Sequence, residues 1–357
     1  MTASRKAPSI IHAAGRLVSS PGRRWCVGGV TVAVLIAVFV THADLARMGR
    51  SFLHADWHWV ALALGLMLIS LVLRSMALKV VVNALGGMRA RLSDTFSATS
   101  IGLLANSVIP IRVGNVLAPY ALYVLLRRRG AAVAFATTLG MALTEQLFAI
   151  ATFVALSLAF VSSLPMQAWV VRVLIVSAVF AAALLVGGIA LERRRRRLVA
   201  PGTAPAAARL SGLRRYVPAL IDSQRIMGKP WSALLVVAIQ TTGWLIQLTA
   251  AWVALQAFHL GGAGLRGAAL VLVLTNLIGL VPITPGNVGT FQAAAVAALA
   301  VSGVAAEPAV AYALGLQGMQ LVVGAVAGLA SLTLQDLTLA DLRARSRPAV
   351  SLLYRGD

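Results

Sequence analysis

Charge is scarce in this chain. Only 11% of its 357 residues are Asp, Glu, Lys or Arg, and only 10 are acids, well below the roughly 25% charged composition of an ordinary soluble domain. Cysteine occurs once, at Cys26, which excludes an intramolecular disulfide and a cysteine-based metal cluster and leaves the redox compartment unread. The histidines at 12, 42, 54, 58 and 259 form no ligand pair at helical spacing with an acid, so a catalytic metal site is not expected. No phosphate-binding glycine loop and no nucleophile elbow is present. No cofactor is implied, and an enzyme's nucleophile, acid and base are missing.

What the chain has is apolar length. Hydrophobic residues make up 59% and the mean hydropathy is +0.87, the composition of an integral membrane protein with no room for a sizeable soluble enzyme. Six stretches can cross a bilayer: about 25 to 41, 57 to 77, 131 to 163, 167 to 191, 231 to 258 and 308 to 334. Trp25, Trp57, Trp59, Trp169 and Trp231 fall at or near span starts, where amphipathic rings anchor at head-group level. The first span follows a basic leader and resembles a signal peptide, but THA before Asp44 is a poor cleavage site. A retained helix is expected.

Two more apolar regions, about 95 to 126 and 267 to 302, are broken near the middle by Pro and Gly. Each half, of roughly 11 to 15 residues, spans about 16 to 22 Å, short of the roughly 30 Å hydrocarbon core. They read as re-entrant hairpins, with pairs of short tilted spans as the alternative. The basic residues test the topology. Five lie in residues 1–24, four in the Arg74 to Asp94 loop, three in 127–129, ten in 192–230 and four in 335–357, together 26 of 31. Arg47, Arg50, Arg172 and Arg266 fall on the other side. By the positive-inside rule both termini are cytoplasmic and the protein is a multi-pass protein of the plasma (inner) membrane. The net charge of +21 is thus topological, with an attraction to anionic lipid and no nucleic-acid surface. In the linker 192–230, RLSGLRRYVPALIDSQRIM can form an amphipathic helix on the inner leaflet.

PIRVGNV (Pro110 to Val116) and PITPGNV (Pro282 to Val288) share Pro, Ile, Gly, Asn and Val at an offset of 172. The same offset sets Glu145 on Gln317, and Asn106 and Asn276 precede the two prolines. Under the charge-derived topology the two units cross the membrane in opposite directions, an inverted repeat of about 57–163 and 231–334 within a membrane domain 25–334. A broken helix at membrane depth survives only if buried in protein or lining a wet cavity. Helix ends aimed into the membrane offer partial charges to an anionic group.

Glu145 is the one acid well inside an expected span, and Arg112 the one base inside a hairpin. Intramembrane ionisable residues face a partner or a cavity, so the two are expected close together, either as an architectural pair or as a phosphate ligand with its orienting partner. Asn106, Asn115, Asn276, Asn287, Thr284, Gln292 and Gln317 can cap half-helices or touch a ligand. Pro110, Gly114, Pro282, Pro285, Gly286 and Gly289 complete the expected binding tips. GLQGMQLVVGAVAG at 315–328 suits close helix packing, within one chain or in a homodimer.

ANSVIPIRVGNVLAPYALYVLLRRRG, TLGMALTEQLFAI and LVPITPGNVGTFQAAAVAAL resemble, in that order, signature regions of the lysylphosphatidylglycerol synthase transmembrane-domain family, also described as flippase-like membrane proteins. The resemblance implies a membrane protein that moves lipid between leaflets or serves a lipid or glycolipid pathway, with such a pathway's proteins as possible partners. The aminoacylating members carry a soluble C-terminal catalytic domain. About 23 residues follow the last span here, so that activity is not expected. Asn115, Gln146 and Gln292 are amides where members often carry charge. The expectation is an all-α membrane protein of six spans and two hairpins, a flippase-like transporter of a phospholipid or other anionic amphiphile. The alternatives are an accessory subunit or intramembrane enzyme of a lipid or glycan pathway, and a secondary transporter of a small amphiphile.

Overall fold

The computed structural model describes residues 54–84, 89–108, 113–160, 229–279 and 287–335, with 172 and 175, and every regular element among them is a helix. In chain order they are α1 (Trp57–Ala84), α2 (Leu92–Val108), α3 (Gly114–Arg128), α4 (Phe135–Phe160), α5 (Pro230–Ala257), a single 3-10 turn (Gly261–Ala263), α6 (Gly264–Gly279), α7 (Thr290–Ala300) and α8 (Ala306–Leu334). Four of the six expected spans are α1, α4, α5 and α8. The other two, about 25 to 41 and 167 to 191, lie outside the described residues, as do the basic N-terminus, the linker up to residue 228 and the tail from 336. Among the described residues, five helices are long and apolar enough to cross a membrane: α1, α4, α5, α8 and the stretch Gly261–Gly279 that includes α6.

Boundaries differ from expectation where charge interrupts an apolar run. α1 does not stop near residue 77. It continues through ALKVVVNA to Ala84, because nothing in that segment breaks a helix before the Gly86-Gly87 pair in the sequence. Arg74 is therefore the eighteenth of 28 residues in a spanning helix and not part of a loop. The hairpin arms are also longer than expected on the incoming side, 17 residues in α2 and 16 in α6, about 25 Å each at 1.5 Å per residue.

The elements repeat. α1 and α5 both have 28 residues. The starts of α1 and α5, α2 and α6, and α4 and α8 (57 and 230, 92 and 264, 135 and 306) are separated by 173, 172 and 171 positions. The long helices of the two sets run antiparallel. The Asp56 N–H donates to Ala257 O at 3.0 Å, joining the start of α1 to the end of α5, and Lys229 Nζ donates to Ala84 O, joining the opposite ends. Midway, Ser70 Oγ donates to Gly243 O at 3.2 Å and to Gln247 Oε1 at 3.0 Å. Ser70 and Gly243 are each the fourteenth residue of their helix, so the two helices cross at their midpoints.

Each hairpin returns to the face it enters, and the two faces are opposite. Asp94 in the first turn of α2 is fully buried and accepts from Arg129, just past α3, at 2.9 Å. This closes the base of the first hairpin at the face where α1 ends. The end of α8 is there too: Gln335 Nε2 donates to Ser97 Oγ at 3.3 Å and Arg128 Nη1 to Gln335 O at 2.7 Å. At the other face Gly267 of α6 lies beside Leu299 and Ser302, so close that a Cβ there would be 3.5 Å from each. Here the 3-10 turn leads from α5 into α6, and the hydroxyl of Tyr312, a fully buried residue of α8, donates to Ala251 O at 3.0 Å.

Two glycines of 315–328 allow close packing within the chain. A Cβ on Gly315 would collide with the Phe258 ring, and one on Gly328 would lie 2.6 Å from Leu104 Cβ and 2.9 Å from Ser100 O. Large apolar side chains face outward along α1 (Leu62, Leu68, Ile69), α5 (Leu234, Leu235, Leu245) and α8 (Val322, Val326, Leu329), an arrangement suited to lipid and unfavourable in water.

Candidate functional site

The first hairpin tip is built around a close approach of its arms. Asn106, near the end of α2, accepts from the Gly114 N–H at 2.8 Å and donates through Nδ2 to Asn115 Oδ1 at 3.3 Å. It thereby satisfies a donor that the first turn of α3 would leave unpaired. Gly114 has to be glycine, because a Cβ there would run into Gly102 O and lie 2.6 Å from Asn106 Oδ1. Farther into α3, Pro119 lacks the N–H that would bond the Asn115 carbonyl, which adds polarity beside the tip.

The second tip is tied differently. Asn287 has φ 56° and Gly289 φ 85°, left-handed conformations that asparagine tolerates and glycine adopts freely. Gln292 Oε1 accepts from the Gly289 N–H at 2.6 Å, and its Nε2 donates to Gln317 Oε1 of α8 at 2.5 Å. Both glutamines are buried. Asn276 donates back to Leu272 O of its own helix at 2.8 Å and joins neither cluster. Pro110, Arg112, Pro282, Thr284, Pro285 and Gly286 lie outside the described residues, and so does the expected approach of Arg112 to Glu145.

Glu145 does have partners, and they are residues that sequence reasoning missed. It is buried in α4. Gln240 Nε2 of α5 donates to its Oε1 at 2.7 Å, and Arg74 Nε of α1 stands 3.6 Å from the same oxygen. Arg74 Nη2 also donates to Gln146 Oε1 at 2.6 Å. Arg74 is four residues beyond Ser70 and Gln240 three before Gly243, which sets the cluster about 5 Å from the helix midpoints, toward the face where α1 ends. Ser70 and Arg74 on α1, and Gln240, Gly243 and Gln247 on α5, repeat at helical spacing. That period is the signal by which they could have been found. With the Arg74 side chain 44% exposed and that of Glu145 7% exposed, the carboxylate is fixed and the guanidinium keeps one side open.

The arrangement places an ion pair and two amides together inside helices long and apolar enough to cross a membrane. No curated protein and no solved structure matches this chain. A family match does cover the order of elements just described: residues 25–328 match the lysylphosphatidylglycerol synthase TM region, and the chain belongs to that family.

Proposed function

We propose that the chain is a flippase-like transporter that moves a phospholipid or related anionic amphiphile between leaflets without catalysing a reaction. The observation that carries this reading is the Arg74–Glu145–Gln146–Gln240 cluster inside helices long and apolar enough to cross a membrane. An ionisable group held at that depth has a large desolvation cost and marks a substrate path. Arg74 is the more exposed member. It can exchange its Gln146 bond for bidentate contact with a phosphate, while Gln240 keeps Glu145 in place. A headgroup passing the cluster would meet the Asn106–Asn115 tip from one face and the Asn287–Gln292 tip from the other.

The same reading sets the face where α1 ends toward the cytoplasm, with both termini there and the protein in the plasma membrane. Anionic lipids are the partners it requires. The test is reconstitution of the purified chain in liposomes that carry fluorescent phosphatidylglycerol or phosphatidylcholine. Protein-dependent redistribution of the acidic lipid, reduced in Arg74→Gln, is expected. Equal redistribution of both lipids, or none, overturns the reading.

A further inference from the structure

Away from the midplane, a concave pocket opens at the face where α1 ends. It is lined by Lys79 of α1, by Arg89, Ala90 and Arg91 of the following link, by Leu92 at the start of α2 and by Arg129 after α3. The link is held at two points: the Ala90 N–H donates to Asn83 Oδ1 at 2.8 Å and the Arg91 N–H to Asp94 Oδ2 at 2.9 Å. Asp94 is fully buried and already committed to Arg129. Lys79, Arg89 and Arg91 meet no carboxylate among the described residues. Among the described residues, four cations stand around this pocket against one carboxylate.

A topological signal needs basic residues on one side of the membrane, not their convergence. Gathering like charges is unfavourable, and an anion with more than one negative charge relieves it. Lys79 lies five residues before the end of α1, about 7.5 Å along the axis, at a depth that a lipid headgroup reaches from the bilayer surface.

We propose that this cradle binds the doubly charged phosphomonoester headgroup of a lipid in the adjoining leaflet. A phosphodiester such as phosphatidylglycerol, with one charge, matches it less well. The site stands apart from the Arg74–Glu145 cluster, and its test reads binding without transport.

The full-length chain in neutral mixed micelles is titrated with fluorescent phosphatidic acid, with fluorescent phosphatidylglycerol, and with inorganic pyrophosphate as competitor. Phosphatidic acid is expected to bind about tenfold more tightly than phosphatidylglycerol. Lys79→Gln and Arg91→Gln are each expected to weaken it about tenfold, the effect of one lost charged hydrogen bond, with little change for phosphatidylglycerol. Arg89→Gln, in the link and outside any helix, gives a variant whose folding is least at risk, and unchanged thermal unfolding separates lost binding from lost fold. Equal affinity for the two lipids, unaltered by these substitutions, means that the charges are topological only and overturns the proposal. Binding of pyrophosphate without binding of phosphatidic acid assigns the site to a soluble anion and overturns it as well.

Discussion

Glu145 and Gln317 hold matching places in the two repeats, yet they reach in different directions. Gln317 turns toward its own hairpin and fastens Gln292 at the tip. Glu145 meets, among the described residues, Arg74 and Gln240 on the two helices that cross at the centre. One repeat thus spends its buried polar residue on securing a tip, and the other on holding a charge. Two sets of helices in the same order differ in one carboxylate where the counterpart has an amide.

The sharpest way to break this comparison is to remove the charge pair. Arg74→Leu removes the one cation that meets the buried Glu145 among the described residues. Losing one partner of a buried pair costs roughly 3–5 kcal/mol, and because Arg74 is partly exposed, about 3 kcal/mol is expected here. Glu145→Gln makes the place resemble Gln317, keeps an acceptor for Gln240, and should cost only about 1 kcal/mol. Thermal unfolding in detergent ranks the two, and the opposite order would contradict an Arg74 that serves to compensate Glu145.

The tips come next. Gly114→Ala forces the arms of the first hairpin apart against Gly102 and Asn106, an overpacking expected to cost about 2 kcal/mol. Gly289→Ala in the second tip acts through its positive φ of 85°, at about 1 kcal/mol. Unfolding midpoints should separate them in that order.

Smaller still is the loss of one amide. Gln292→Leu removes the acceptor of the Gly289 N–H and the donor to Gln317 Oε1, at about 1 kcal/mol. Asn106→Ala leaves the Gly114 N–H without its acceptor, beside the exposed Asn115, where water can replace the bond. Amide hydrogen exchange should quicken more at the second tip than at the first, and equal quickening would show the two ties to be equivalent.

The least effect belongs to the helix starts. Asp56, ahead of α1, accepts from the His58 N–H at 3.0 Å, and this bond above all holds its carboxyl below the usual carboxylate range. Its contribution is present at pH values above that range and is lost as pH falls through the lowered value. The matching start of α5 has Lys229 and Pro230 and no acid in its first turn. Asp56→Asn should therefore flatten the acid limb of the melting curve slightly, which a pH series of thermal unfolding measures.

The repeat was legible because a membrane allows few ways to break a helix: the residues that cap and turn a tip, Asn106, Gly114, Asn115, Asn287, Gly289 and Gln292, are forced into view by their apolar surroundings. Glu145 was legible for the same reason. Arg74 was not, because a long basic side chain near the end of an apolar run reads equally as loop or as helix. Only the continuation of α1 to Ala84 decides between them. Gln240 was hidden because an uncharged amide within a span attracts notice only when its partner is known. Position 146 carries the clearest lesson. It holds an amide, and the structure sets the Arg74 guanidinium, supplied by another helix, 2.6 Å from that amide. The charge beside a residue can come from a distant part of the chain, which its local sequence does not show.

α8 touches both broken helices. Gly328 lets Leu104 of α2 lie against it, and Gln317 grips Gln292 of α7; these two holds are eleven residues, about 16 Å, apart on one rod. Both hairpins therefore rest on a single rod. If the proposed transport makes binding at one face favour opening of the opposite tip, binding at that tip favours the reverse in equal measure.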